Sequence, residues 1–246
     1  MSGEQLRVLA EEQAALRRVA TLVARGVAPE ELFAAVTEEA GRLMSVEYAS
    51  LGRYEPDGAI IVAVWGRTGH HVPVGRRWSL GGKNVSTLVF QTGRPARIDS
   101  FADASGSPGD VGREYGVGSG VGTPVIVEGR LWGVMSTHSP LGQSLPADTE
   151  ARLANFTELL GTAIANAQSR AELARLAEEQ AALRRVATLV ARGAPSEELF
   201  AAVTEEAGRL MSVEYASLGR YEPDGAIIVA VWGRTGHHVP VGRRWS

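Results

Sequence analysis

The first part of the sequence has apolar residues at the spacing of a helix. Within residues 5–25 they recur every three or four positions, which predicts an amphipathic helix. Gly26 follows, and glycine commonly ends a helix. Pro29 suits the first turn of a second predicted helix, residues 30–44, because proline needs no backbone N–H there.

The pattern then changes to short runs of β-forming residues. Residues 48–54 and 59–65 are joined by a Glu-Pro-Asp-Gly turn, in which proline fixes φ and glycine accepts a positive φ. They predict a β-hairpin. Residues 123–127 and 131–137 predict a second hairpin around Glu-Gly-Arg.

The stretch between the hairpins has weaker signals. We expect a short helix over residues 85–91 and a brief edge strand over residues 95–98. Residues 105–122 hold seven glycines in 18 positions. Because glycine loses much backbone entropy on folding, we expect this glycine-rich stretch to be mobile unless a ligand orders it.

A long helix is predicted after the second hairpin. Residues 146–192 contain no strong helix breaker, and a helix of that length extends about 70 Å. Its first part suits packing on a sheet, whereas its second part repeats a seam of a and d positions. The seam predicts a coiled coil between two subunits, the alternative being an amphipathic helix that packs on its own domain. Its residues are Leu173, Leu176, Gln180, Leu183 and Val190.

An internal repeat sets the domain organisation. Residues 9–79 recur as residues 176–246, and 68 of the 71 positions are identical. The chain therefore holds one complete unit and about the first half of another. We expect four segments: a signalling helix over residues 1–26, a complete domain over 27–170, a linker helix over 147–192 that overlaps the end of that domain, and a truncated second copy over 194–246.

Composition and charge narrow the function classes. With 44% apolar and 22% charged residues, the composition is typical of a soluble globular protein. The net charge of −3 gives no electrostatic reason to expect nucleic-acid binding. No apolar run approaches the ~18 residues of a membrane-spanning helix, so we expect no membrane contact and a cytoplasmic location. Cysteine is absent, which excludes disulfides, thiolate metal sites, cysteine nucleophiles and thioether-linked chromophores.

Four segments of the chain resemble a GAF domain: residues 49–58, 93–98, 122–134 and 156–170. The resemblance implies an α+β fold with a central antiparallel sheet of five or six strands. It also implies helices on one side of the sheet, a ligand-sized pocket on the other, and long N- and C-terminal signalling helices that pair across a dimer.

More narrowly, the sequence is similar to the tandem GAF repeats of actinobacterial sensor histidine kinases. The chain contains neither a phosphoacceptor helix nor an ATP-binding domain, so we expect a non-catalytic sensory module that responds to a small molecule. The alternatives are a ligand-free structural dimerisation module, or the GAF input domain of a phosphatase, a cyclase or a transcription regulator.

Aromatic residues near strand ends are the candidates for a ligand pocket. Trp78 and Tyr115 are favoured because they lie in predicted loops, and His138 follows a predicted strand from which it is able to point into a pocket. Trp65 and Phe90 complete the candidate set. The alternative for each aromatic residue is a place in the hydrophobic core.

The same resemblance argues against the known GAF cofactors. Haem-binding relatives carry their proximal histidine before the Gly-x-Pro-Val strand, where this chain reads Arg-Glu-Tyr-Gly-Val over residues 113–117. Bilin-binding relatives use a cysteine, and the cyclic-nucleotide signature is not evident. The adjacent histidines at 70–71 and 237–238 do not have the spacing of metal ligands, so no metal site is expected. Residues 81–84 (Gly-Gly-Lys-Asn) depart from a phosphate-binding Walker loop and predict a turn and helix cap instead.

Overall fold

The computed structural model describes residues 3–66, 72–233 and 239–245. Helix α1 spans Gly3–Arg25 and helix α2 spans Pro29–Leu43. Gly26 ends α1 with a φ of 65°, the left-handed conformation that a glycine adopts without strain. The first two predicted helices are therefore confirmed.

The first hairpin consists of β1 (Tyr48–Glu55) and β2 (Gly58–Gly66). The pairing slips between Leu51 and Gly52, so that β2 carries one extra residue at this β-bulge. The loop that contains Trp78 was expected to be irregular, but it adds a two-residue strand, β3 (Arg77–Trp78), on the outer edge of β2.

The next elements surround a well-capped helix. Helix α3 spans Val85–Thr92, and the side-chain oxygen of Asn84 accepts a hydrogen bond from the backbone N–H of Thr87 at 2.9 Å. The helix cap predicted for residues 81–84 is confirmed. Strand β4 (Ala96–Ile98) and a short 3-10 helix (Phe101–Asp103) follow.

The glycine-rich stretch, predicted to be mobile unless a ligand orders it, has regular secondary structure over most of its length. It forms helix α4 (Ser107–Glu114) and the first half of β5 (Val117–Val127). Several of its glycines lie where a side chain does not fit: a Cβ on Gly112 would lie 2.5 Å from the Phe101 ring, and one on Gly122 would lie 2.2 Å from Val85. These glycines therefore reflect close packing, whereas Gly116, with a φ of 68° and nothing within 4 Å of an added Cβ, needs the backbone freedom of glycine.

Strand β6 (Arg130–Pro140) completes a six-stranded antiparallel sheet in the order β3-β2-β1-β6-β5-β4. The predicted α+β fold with a five- to six-stranded antiparallel sheet is confirmed. After the sheet, helix α5 runs for 43 residues, Thr149–Ala191. None of the helices in the described ranges is long and apolar enough to cross a membrane.

The two faces of the sheet have separate cores. Side chains of α1, α2 and the first part of α5 pack on one face around Leu51 and Met135. On the other face, Val134 packs with residues of α3 and with Phe101. Val134 and Met135 are neighbours on β6, and successive side chains of a strand point to opposite faces. Arg97 of β4 also binds the first turn of α5 through a paired contact with Glu150, at 2.6 Å from Nε.

The chain divides into two compact units, residues 1–168 and 169–246. The second unit contains the last part of α5, helix α6 (Ser196–Leu210), and strands β7 (Tyr215–Glu222), β8 (Gly225–Gly233) and β9 (Arg244–Trp245). Its three strands form a sheet in the order β7-β8-β9. A helix and a hairpin were expected here, and β9 is the added element, as β3 is in the first unit.

Candidate functional site

A cavity of about 690 Å³ lies in the first unit, on the sheet face opposite α2 and α5. Its floor comes from β1 and β6, where Ser50 and Ser136 alternate with the core residues Leu51 and Met135. Helix α4 and the start of α3 form its walls. Ligand pockets in proteins commonly have volumes of about 300–1,000 Å³, so the cavity has room for a small organic molecule.

A row of polar side chains crosses the floor. Ser50 of β1 lies opposite Ser136 of β6, and their Oγ atoms are 2.9 Å apart. The same Ser136 Oγ lies 3.2 Å from Nε2 of His138, two residues along β6. Three polar groups therefore share one face of two adjacent strands.

Aromatic rings enclose His138. The ring of Tyr48 lies 5.5 Å from it and the ring of Phe101 lies 5.6 Å away, edge-on. Burial disfavours the imidazolium and lowers the pKa of His138 to about 4. His138 is therefore neutral near pH 7. Its Nδ1 atom is buried beside Gly120 and finds no hydrogen-bond partner within the described ranges.

A second buried ring nitrogen belongs to Trp78. This indole packs against Ile61, Val72 and Val111 at the cavity wall. Its Nε1 atom is buried, and no group of the described chain accepts a hydrogen bond from it. A buried N–H without a partner is unfavourable by about 1–3 kcal/mol, so a ligand that accepts this hydrogen bond gains that free energy.

The charge on the described part of the cavity lining is negative. The charged side chains that line it are the exposed carboxylates Glu47 and Glu114, and no lysine or arginine of the described ranges is among the lining residues. Apolar and aromatic side chains make up most of the remaining wall. The described surface therefore favours an uncharged or cationic ligand over an anion.

Comparison with known proteins identifies the family. The family model described as "GAF domain" matches residues 28–168. This chain belongs to the GAF family. No curated protein matches the chain.

Solved structures show the same GAF fold at low sequence identity. The phycocyanobilin-bound GAF domain from a cyanobacterial phytochrome is 17% identical, with a TM-score of 0.55 over 65% of this chain and 96% of that one. The phycoerythrobilin-bound GAF domain from a cyanobacterial phytochrome is 16% identical, with a TM-score of 0.54 over 65% and 97%. The bacteriophytochrome RpBphP3 from R. palustris is 14% identical, with a TM-score of 0.66 over 96% of this chain and 52% of that one, so the chain spans about half of that protein.

The described residues of this GAF domain do not suit the bilins of the two phytochrome GAF domains. The thioether attachment expected of bilin-binding relatives needs a cysteine, and the chain has none. Bilins also carry propionate groups, and the described lining offers them the two carboxylates Glu47 and Glu114 but no lysine or arginine. We therefore assign no step to a bilin in this domain.

Three of the five predicted pocket residues meet at the GAF cavity, namely Trp78, Tyr115 and His138. Phe90 does not line it: this residue is half-exposed on α3 and contacts the edge of the Tyr54 ring at 5.0 Å. The side of α3 that faces the core is the one bearing Val85 and Val89.

Trp65 also lies elsewhere, on the helix-covered face of the sheet beside the core around Leu51. The bulge in β2 explains its position. Val62 is the extra residue, so Ile61 belongs to the cavity face while Ala63 belongs to the opposite one. Trp65 follows Ala63 at the strand period of two residues.

The sequence prediction missed the serines of the floor. Ser50 and Ser136 lie inside predicted strands, among residues that point to both faces, so they were not singled out. Their signal is a small polar side chain inside a strand, between Ala49 and Leu51 for Ser50 and after Met135 for Ser136. This signal alone does not reveal that the two hydroxyls meet.

The predicted absence of a metal site is not decided by the structure. Within the described ranges no three His, Cys, Asp or Glu side chains are grouped so that they could hold a metal ion. The histidine pairs at 70–71 and 237–238 lie outside those ranges.

Proposed function

We propose that this GAF domain is a non-catalytic sensory module that binds a small uncharged or cationic molecule and signals through helices paired between two subunits. The observation that carries the proposal is the cavity of about 690 Å³ in which Trp78 Nε1 is buried without a partner from the described chain. A concave, largely apolar site with a few placed polar groups is the usual form of a small-molecule site.

The lining indicates the chemistry of the ligand. Aromatic side chains on several sides favour a flat apolar body. Trp78 supplies a buried Nε1 donor in the cavity wall that has no partner among the described residues. Glu47 and Glu114 at the rim disfavour carboxylates and phosphates. Family resemblance alone would suggest the anionic cofactors of GAF relatives, and the lining argues against them.

A chain of contacts connects the cavity to helix α5. Ser139, next to His138 in the lining, donates a hydrogen bond from Oγ to the carbonyl of Gln143 at 2.6 Å. Beyond it, Arg97 donates to the carbonyl of Leu145 at 2.9 Å and also binds Glu150 in the first turn of α5. A ligand that displaces the end of β6 therefore acts on the start of the signalling helix. This route replaces the expected ordering of the glycine-rich stretch, because that stretch already forms α4 and β5.

The exposed seam of α5 supports the paired-helix part of the proposal. Within the second unit, α5 turns Ala182 inward, while the seam leucines and valine face outward with 43–66% of their surface exposed. Gln180 is exposed as well. An apolar stripe of this kind is stabilised when a second helix covers it. Dimerisation without any ligand is the second candidate function, and the same stripe favours it.

The wider context rests on the resemblance described above. We propose that the chain is part of a cytoplasmic tandem-GAF sensor histidine kinase. Input domains of other regulators remain the alternative.

Thermal unfolding with a metabolite library tests the ligand proposal. A ligand that binds only the folded state stabilises it by about 2.7 kcal/mol at 100 times its Kd, which raises the Tm. We expect uncharged or cationic aromatic compounds to raise it and anionic ones to leave it unchanged. The repeat supplies a matched control: Trp78→Leu should abolish the shift, whereas Trp245→Leu, the same change in the second copy, should preserve it. A library without any stabilising compound, or a shift that both variants lose equally, contradicts the proposal.

A further inference from the structure

The cavity of the GAF domain has an interior and a mouth that differ in polarity. Phe101 and Val111 line it and are buried, so they belong to the interior. Glu47, Glu114 and Tyr115 also line it but are exposed. A residue that lines a cavity and also meets solvent lies at the mouth of that cavity. The interior and the mouth therefore contact different parts of a ligand.

Most polar side chains of the interior already have partners within the chain. Asn84 donates from Nδ2 to two backbone carbonyls, at 2.8 and 3.0 Å. Ser139 donates to the carbonyl of Gln143, and the row of polar groups on the floor is hydrogen-bonded within itself. Among the described residues, the ring nitrogens Nε1 of Trp78 and Nδ1 of His138 are exceptions. A strongly polar ligand would have to displace the existing bonds, so the interior favours a body with few polar atoms.

Aromatic rings give the interior a preference for a flat body. Tyr48 belongs to β1, Trp78 to β3 and Phe101 to the short 3-10 helix, and all three line the cavity. Aromatic groups gain free energy from edge-on and offset-stacked contacts with such rings, beyond the burial of their apolar surface. The interior therefore suits an aromatic ring system.

The mouth carries two carboxylates without a cationic partner among the described residues. Glu47 directly precedes β1, and Glu114 is the last residue of α4. Within the described ranges, neither of them is in an ion pair with an arginine or a lysine. The potential of two such carboxylates favours a cation. Tyr115, beside Glu114, adds an aromatic ring, and the face of a ring also attracts cations.

We propose that the ligand of this cavity is an arylalkylamine, whose aromatic body lies in the interior and whose protonated ammonium group lies at the mouth beside Glu47 and Glu114. This inference rests on the proposed ligand-binding function and narrows it from uncharged or cationic molecules to one class. An alcohol of the same shape fills the interior equally well but gains little from the carboxylates, and an acid is repelled by them. Because both carboxylates are exposed, water and salt screen the attraction, and the preference for the amine is moderate.

Matched series of compounds test the proposal. Tryptamine, tryptophol and indole-3-acetate share one ring body and end in an ammonium, a hydroxyl and a carboxylate group. The corresponding amines, alcohols and acids on a benzene and on a naphthalene ring vary the size of the body. Isothermal titration calorimetry with the full-length chain measures each Kd.

We expect the amine to bind at least about five-fold more tightly than the alcohol of the same series, and the acid to bind more weakly than the alcohol. The double variant Glu47→Gln with Glu114→Gln should reduce the advantage of the amine to within about two-fold. Glu214→Gln makes the same change at the counterpart of Glu47 in the second copy, outside the lining, and should keep the preference of the parent chain. Added salt should weaken that preference.

The outcomes separate this inference from the proposed function. If amine and alcohol bind the parent chain equally well, or if the double variant keeps the preference for the amine, the cavity is a ligand site that does not select amines, and the inference is wrong. If none of these compounds binds, the metabolite library decides. A library that yields only uncharged stabilisers overturns the inference alone, whereas a library that yields none overturns the proposed function together with it.

Discussion

The Nε2 atom of His138 lies 3.2 Å from the Oγ atom of Ser136, two residues earlier on β6. The imidazole lies on the cavity floor. It is neutral near pH 7, because burial lowers the pKa of His138 to about 4 from an ordinary value of 6.5. The unfolded chain therefore takes up this proton at a higher pH than the folded chain does.

Stability should fall in acid because of this residue. The contribution of the lowered pKa is complete above about pH 6.5 and is lost as the pH falls towards 4. We expect the free energy of unfolding to drop between pH 7 and 4.5 by about 2–3 kcal/mol more in the parent chain than in His138→Phe. Urea unfolding at the two pH values measures the difference. Equal losses in both proteins would show that His138 titrates normally in the folded state.

The sequence predicted the elements whose signals are local. The hairpin of β1 and β2 follows from its Pro-Asp-Gly turn, and α3 follows from Asn84 at its N-terminus and Gly93 after its end. The six-stranded sheet came from the family resemblance and not from any single segment.

What the sequence did not predict depends on tertiary contacts. The bulge beside Gly52 decides which face Trp65 occupies, and nothing in the alternating pattern of β2 marks Val62 as the extra residue. Likewise, Gly112 is glycine because the ring of Phe101 packs against it. Composition alone attributes such glycines to flexibility.

Gly41 and Gly208 give a matched test of packing. A Cβ on Gly41 would lie 2.1 Å from Cε3 of Trp65, and one on Gly208 would lie 2.2 Å from Cε3 of Trp232. Overpacking typically costs about 1–3 kcal/mol, against roughly 1 kcal/mol that alanine gains in helix propensity.

We therefore expect Gly41→Ala to lower the free energy of the main unfolding transition by about 1–2 kcal/mol. Gly208→Ala should leave that transition unchanged, because it alters the second unit only. Circular dichroism during urea unfolding provides the measurement. An equal effect of both substitutions would mean that the two units unfold as one.

The purified protein should be colourless. The chain has no cysteine for a bilin, and the imidazole of His138 is buried beside Tyr48 and Phe101. Absorption spectra after incubation with haem or biliverdin, followed by desalting, measure retention. A band that stays with the folded parent and disappears in His138→Phe would disprove the cofactor prediction.

The seam of α5 should hold two chains together. Leu176 and Leu183 are 43% and 58% exposed in the single chain, so their replacement by lysine removes apolar contacts between chains without disturbing the fold. We expect the double variant Leu176→Lys with Leu183→Lys to be monomeric by light scattering and the parent to be dimeric. Ala174→Lys, at an exposed position outside the seam, should stay dimeric. A monomeric parent, or a dimer that survives the double substitution, contradicts the coiled-coil prediction.

The second unit should be the first part of the chain to be cut by protease. Arg42 and Arg209 have identical neighbours in sequence, so trypsin has the same intrinsic preference for both. Met44, two residues after Arg42, is buried, whereas Met211, two residues after Arg209, is 72% exposed. Cleavage of a folded chain follows the population of locally opened states, which is larger where fewer apolar contacts must be broken. We expect brief digestion to cut at Arg209 and near Arg192 while Arg42 stays intact, leaving a folded product that retains residues 9–170. The masses of the fragments distinguish the two copies. A chain that resists trypsin at Arg209 in a dilute, strictly monomeric sample would show that the second unit is covered from within its own chain.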